Sequence, residues 1–292
     1  MPEASLDTDP VDSVEITEFT DPGCPWAYSA EPVRWRLDWL YGERLRWHPR
    51  MVVLSRSPED YKASGFTPER QARAFARIAR EHGMPIDTGQ RPRMAATAPA
   101  CEAVVGARLN APAHERPLLR ALRIRNFAGE PLDEAATIAR ACGDAGLDAG
   151  EVTEWTAQDA VQTALREDMS AARAPMPAAR ALDHKLANWS GGRRYTCPSY
   201  EIVRRGQDVR IAVPGFQPCA VYEVVLANLV PGLDRRDPPE RVEEVLAWAG
   251  TPLATREVAA VCEISTGEAR ERLGRVASER HLGTDGLWSL AG

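Results

Sequence analysis

The sequence predicts an α/β fold: one domain interrupted by an inserted helical block, with a small unit of winged-helix pattern after it. Three observations carry this. Strand-like runs bracket the first part of the chain, at 14–20 and 44–54 on one side and 198–213 on the other. Between them, from about 60 to 190, the chain turns rich in Ala, Arg and Glu at helical spacing. Beyond a polar linker at 232–238, three helical segments precede a short apolar hairpin.

The elements follow in order. Val14–Thr20 alternates apolar and polar residues and favours β-branched types, so it reads as a strand. Pro25 suits the first turn of a helix, which should carry Tyr28, Val33, Leu37 and Leu40 inward and stop near Gly42. The run 44–54 returns as a second strand. Helices are expected over 68–82, 99–109, 114–128, 133–145 and 151–173, with Gly83, Gly129 and Gly146 just past helix ends. A hairpin around Gly206 spans 198–213, and 214–229 is a loop and closing helix. This gives a domain at 14–232 after a disordered leader at 1–13. In the unit at 237–292, a helix over 239–249 ends at Gly250, and Ser265 and Glu268 form a capping box for a helix over 267–281. An Asp285–Gly286 turn closes the wing.

Composition narrows the function classes. The chain has 292 residues, 44% hydrophobic and 27% charged, as soluble globular proteins do. A net charge of -6 argues against non-specific binding to nucleic acid or anionic membrane. No apolar run approaches the roughly 20 residues that span a bilayer. The acidic first residues lack the basic and apolar parts of a signal peptide, so a cytoplasmic location is expected. There, paired cysteines tend to be catalytic or redox-sensing. The 6 cysteines show no Cys-x-x-Cys spacing and the 5 histidines are dispersed, so no metal site is expected.

The stretch "DPGCPWAYS" at 21–29 places Cys24 between a strand and a helix start. Unpaired backbone N–H groups and the helix dipole favour a thiolate there. Cys24 is therefore the candidate nucleophile, with Pro25 and Trp26 beside it. Pro198, opening a strand after a long helical excursion, is a candidate cis-proline.

Those residues carry a family resemblance. "VEITEFTDPGCPWAYSAEP" resembles the opening of DsbA-like thioredoxin-fold proteins, especially the cytosolic FrnE-type group, and "GFQP" is similar to their Gly-x-Gln-Pro loop. The resemblance spans about 14–232 and implies a thioredoxin fold interrupted by an all-helical insertion. By that resemblance Cys24 is the nucleophile, Pro198 the cis-proline, and Asp21, Pro25, Trp26, Tyr28 and Gln217 form the substrate wall, with Gly215 and Pro218 in the same loop. Ala27 stands where the family has its resolving cysteine. Residues 174–194 also depart from the family pattern. The family geometry implies that Cys197 lies against Cys24, so either Cys197 or a small thiol is expected to resolve the Cys24 adduct.

The resulting expectation is a cytoplasmic thiol-disulfide oxidoreductase acting on small-molecule or protein disulfides. It needs no cofactor beyond, at most, a small thiol such as glutathione or mycothiol. Two alternatives stay open: a thiol-cofactor-dependent transferase or isomerase of kappa-class type, and a non-enzymatic redox-sensing or iron–sulfur scaffold. Cys219 is a weaker third thiol, while Cys101, Cys142 and Cys262 are expected to be buried and inert. Residues 237–292 carry ten acids against six Arg, so this unit is expected to dock or dimerise rather than bind DNA.

Overall fold

The computed structural model describes residues 13–188 and 192–290, so the expected leader lies outside the described residues except for Ser13. Strand β1 (Val14–Thr20) leads into α1 (Pro25–Ser29), α2 (Glu31–Tyr41) and β2 (Leu45–Met51). The insertion contains α3 (Pro58–Ala63), α4 (Pro68–His82), α5 (Ala98–Asn110), α6 (Glu115–Phe127), α7 (Ala135–Asp144), α8 (Ala149–Thr156), α9 (Asp159–Ala172) and α10 (Pro177–Ala181). A short pair, β3 (Leu186–Asn188) and β4 (Arg193–Tyr195), precedes β5 (Ser199–Arg204), β6 (Arg210–Val213) and α11 (Cys219–Leu229). The C-terminal unit runs α12 (Val242–Ala249), β7 (Leu253–Ala254), α13 (Thr255–Cys262), α14 (Thr266–Val276), β8 (Ala277–Leu282) and β9 (Asp285–Leu290).

The central sheet has the order β2-β1-β5-β6, with β1 parallel to β2 and antiparallel to β5. This is the interrupted thioredoxin arrangement, with the inserted helices between β2 and β5. Because β1 is flanked on both sides, the turn after it projects from the middle of the sheet edge. That is where Cys24 stands.

Of the boundaries that differ from the sequence expectation, four do so for a clear local reason. The first helix breaks at Ala30, because Pro32 has no N–H to give to the Tyr28 carbonyl. The helix expected over 151–173 is two, α8 and α9, separated at an extended Gln158. The bend lets Val152 and Val161 both reach the core around Val104 and Val105 of α5. The helix expected over 267–281 ends at Val276, where Ala277 turns extended and pairs with Leu290. The final turn is at Gly283 and Thr284 rather than Asp285 and Gly286, since Asp285 already pairs with Leu282.

The C-terminal unit does not hang from a linker. Trp248 of α12 packs edge-on against both Trp35 and Trp39 of α2, with ring centroids at 5.6 and 5.1 Å. One apolar core includes Val14, Ile16 and Ile202 of the sheet together with Val245, Val258 and Leu273 of the C-terminal unit. Beneath it, Arg120 of α6 grips both carboxylate oxygens of Glu257 at 2.7 and 2.8 Å and the Pro252 carbonyl at 2.7 Å. Its neighbour Arg123 binds Glu31 of α2 and reaches Glu18 of β1 at 3.2 Å. Burial opposes the Glu31 charge, but Arg123 and Arg120 outweigh it and hold the carboxyl below its ordinary range.

A buried carboxylate stripped of its guanidinium is costly, so Arg120→Ala should lower stability by about 3–5 kcal/mol. Urea unfolding of the full chain should show one transition, and a chain ended at Gly232 should precipitate with its α2 face uncovered. A soluble, cooperatively folded product of that truncation would show instead that the units are separable.

Candidate active site

The turn carrying Cys24 is fixed by a buried carboxylate. Asp21 accepts from the backbone N–H of Gly23 at 2.7 Å and of Leu54 at 2.8 Å, and from the Thr97 hydroxyl at 2.8 Å. Burial pushes its carboxyl above the usual range against the pull of these donors. Gly23 is required by space, since a Cβ there would lie 2.6 Å from the Thr97 methyl group. Asp21 thereby ties the ends of β1 and β2 to the start of α5, and Cys24 follows as the residue capping α1.

Across the gap, the Cys197–Pro198 peptide bond is cis. The Cys24 sulfur lies 3.3 Å from the Cys197 carbonyl oxygen, 173 positions away in sequence. Both cysteines are buried and both are free thiols. Burial opposes the Cys24 thiolate, but donation from the Cys197 thiol and from the Ala27 and Trp26 N–H groups outweighs it, so its pKa falls below that of an ordinary thiol. Burial and the neighbouring Cys24 drive the Cys197 thiol well up. Of the other four, burial pushes Cys219 to about 12 and Cys142 and Cys262 to about 11, and it raises Cys101 strongly.

Cys24 and Cys197 face a cavity of about 570 Å³. One wall is Tyr61 of α3, the exposed Phe66, and Phe75, Arg77 and Ile78 of α4; the other is His184, Lys185, Ala187 and Arg194, from the 174–194 stretch that departs from the family pattern, and Thr196 just after it. Pro25, Trp26 and Phe216 complete it. Trp26 meets His82 and Phe216 edge-on at 5.0 and 6.0 Å.

Three residues expected in the substrate wall are elsewhere. Asp21 lies beneath the turn with its carboxylate spent on backbone. Tyr28 points into the core, stacked on Phe127 with centroids 4.6 Å apart. Gln217 turns back to donate to the Pro214 carbonyl at 3.2 Å, leaving its neighbour Phe216 to line the cavity. The α4 wall escaped the sequence reading, although the Thr67–Pro68 start and the 75, 78, 79 apolar spacing marked an amphipathic helix there.

The C-terminal unit reaches this wall as well. Leu282, Leu287 and Ala254 share a core with Phe75 and Ile78. The Gly283–Thr284 turn sits on the segment after α4, with the Thr284 hydroxyl 3.4 Å from both the Met84 carbonyl and the Ile86 N–H. A Cβ at Gly283 would collide with the Ile86 backbone. The unit therefore buttresses α4 from behind.

A family model for the DSBA-like thioredoxin domain matches residues 15–176. The chain belongs to this family. Along 95% of its length it is 26% identical to the ClpXP adapter protein SpxH of Halalkalibacterium halodurans, covering 90% of that protein. A probable DsbA oxidoreductase from Streptomyces coelicolor shares the fold with a TM-score of 0.53 at 20% identity, over 78% of this chain and 93% of that one. The cytosolic disulfide reductase DsbM of Pseudomonas aeruginosa does so with a TM-score of 0.51 at 17% identity, over 73% and 99%. In this DsbA-like chain the pairing across the cis-proline falls beyond the matched segment, so it rests on the geometry above.

Titration of alkylation separates the cysteines. Cys24 carries a depressed pKa, so its thiolate persists to lower pH, and its modification should rise at a pH below the roughly 8.5 of a free thiol. Cys197→Ala removes a donor to that thiolate and should shift the midpoint upward. An unchanged midpoint would mean that the backbone alone holds the charge.

Proposed function

We propose that the chain is a thiol–disulfide oxidoreductase in which Cys24 attacks and Cys197 resolves. The observation that carries this reading is the Cys24 sulfur held 3.3 Å from the Cys197 carbonyl oxygen, both residues lining one cavity, with Ala27 in the position of the usual second cysteine.

In the reducing direction the Cys24 thiolate attacks one sulfur of a disulfide and displaces the other half as a thiolate. A mixed disulfide forms and the Cys24 charge disappears. That charge is one reason why the Cys197 thiol is held protonated, so its loss eases ionisation, and the Arg194 guanidinium favours the same step. Cys197 loses its proton to solvent and attacks the Cys24 sulfur, releasing the second half as a thiolate. The substrate gains two electrons and the pair becomes a disulfide, which two equivalents of a small thiol return to the dithiol state. A reducing compartment, the cytoplasm, suits this cycle.

A second reading is favoured by one observation: the likeness to the SpxH adapter covers 95% of this chain, the C-terminal unit included. On that reading the pair would report redox state within a protein-binding scaffold rather than turn over substrate.

Prereduced Cys197→Ala given a disulfide substrate should stall as a mixed disulfide on Cys24, releasing the second half at least about tenfold more slowly than wild type. Cys24→Ser should release neither half. Turnover by Cys197→Ala at the wild-type rate would assign resolution to an external thiol, and wild type limited to a single stoichiometric event with excess reductant would favour the scaffold.

A further inference from the structure

The charge around the cavity runs against the charge of the chain. The whole sequence is net -6, yet among the described residues lining the cavity none is Asp or Glu. Its cationic lining comes from both walls: Arg77 of α4 on one side, Lys185 and Arg194 on the other. Arg77 and Lys185 make no ion pair among the described residues, whereas Arg270, Arg272 and Arg275 on α14 are each matched to a carboxylate. Arg194 is 1% exposed and donates to the Tyr195 carbonyl at 2.6 Å, and its charge acts on the Cys197 thiol. Phe66 and Phe75 on the first wall, together with Phe216, supply apolar surface. A volume of about 570 Å³ suits one small molecule.

We propose that this cavity selects small disulfides whose end groups carry carboxylates, with Lys185 and Arg77 as the residues that set the preference; this rests on the oxidoreductase reading above. An anionic substrate approaching a thiolate is repelled by it. Cations on both walls reverse that sign, and low-dielectric walls concentrate their field on the entering ligand. The same cations repel a disulfide with ammonium ends. The reaction is the one already written: the Cys24 thiolate displaces a carboxylate-bearing thiolate, Cys197 displaces the second, and the two electrons come from the protein pair.

The test uses prereduced full-length protein in single turnover with three alkyl disulfides of similar size. Dithiodipropionate is a dianion, bis(2-hydroxyethyl) disulfide is neutral, and cystamine is a dication. Each rate constant is divided by that of the same disulfide with the neutral thiol 1-thioglycerol, which removes intrinsic reactivity. The expected order is dianion, neutral, dication, with at least about tenfold between the extremes at low salt. The spread should contract as ionic strength rises. In the Lys185→Gln/Arg77→Gln double variant the ratio of dianion to neutral should fall to within about twofold. Equal normalised rates, or cystamine fastest, overturn the charge selection while leaving the thiol chemistry in place. A Cys24 that reacts with none of the three overturns both the selection and the oxidoreductase reading beneath it.

Discussion

Two guanidinium groups, buried where three parts of the chain meet, constrain everything around them. Arg120 and Arg123 leave α6 of the insertion and bind Glu31 at the start of α2, Glu18 on β1 and Glu257 in the C-terminal unit. None of these charges could stay buried alone, because the desolvation penalty is met only when each has its partner. The consequence is geometric. Sheet, insertion and C-terminal unit are held in one register, and α1, just ahead of Glu31, is held with them. A site assembled from the end of β1, α4, Lys185 and Arg194 needs that register, since its walls come from parts of the chain far apart in sequence.

Within the frame, the chemistry depends on what replaces a missing cysteine. Ala27 is buried and carries no thiol, so a helical Cys-x-x-Cys pair cannot form. The donor to the Cys24 thiolate comes instead from Cys197, on the far side of the cleft. Burial and the contact between the two residues make the pair asymmetric, one thiol pushed down and its neighbour up, which suits an attacking and a resolving sulfur.

Much of this was legible in the sequence, for physical reasons. Alternation at 14–20, the cysteine ahead of Pro25 and the glycines at helix ends are local signals, and the elements they mark are present. The cysteine pairing was legible only through family likeness, because nothing local links positions 24 and 197. What the sequence left obscure was decided at long range. Tyr28 faces the core, as its apolar spacing with Val33, Leu37 and Leu40 implies and against the substrate wall that family likeness suggested, but its stacking partner, Phe127 of the insertion, is nowhere marked near residue 28. Pro32 could have signalled the break at Ala30, but the apolar spacing through Leu37 and Leu40 masked it. The polar stretch at 232–238 reads as a linker before the C-terminal unit, yet that unit's apolar faces are spent on α2 and on the back of α4.

The central claim is that Cys24 and Cys197 are one redox couple. Its most direct measurement is to equilibrate the wild-type protein in dithiothreitol buffers of graded oxidation, quench with acid, and map every cysteine by peptide mass. The account predicts a single disulfide joining Cys24 to Cys197, appearing in one two-electron transition, while Cys101, Cys142, Cys219 and Cys262 remain thiols. Cys24 recovered without a bond to Cys197, with Cys197 still reduced at the oxidising end of the series, would contradict it.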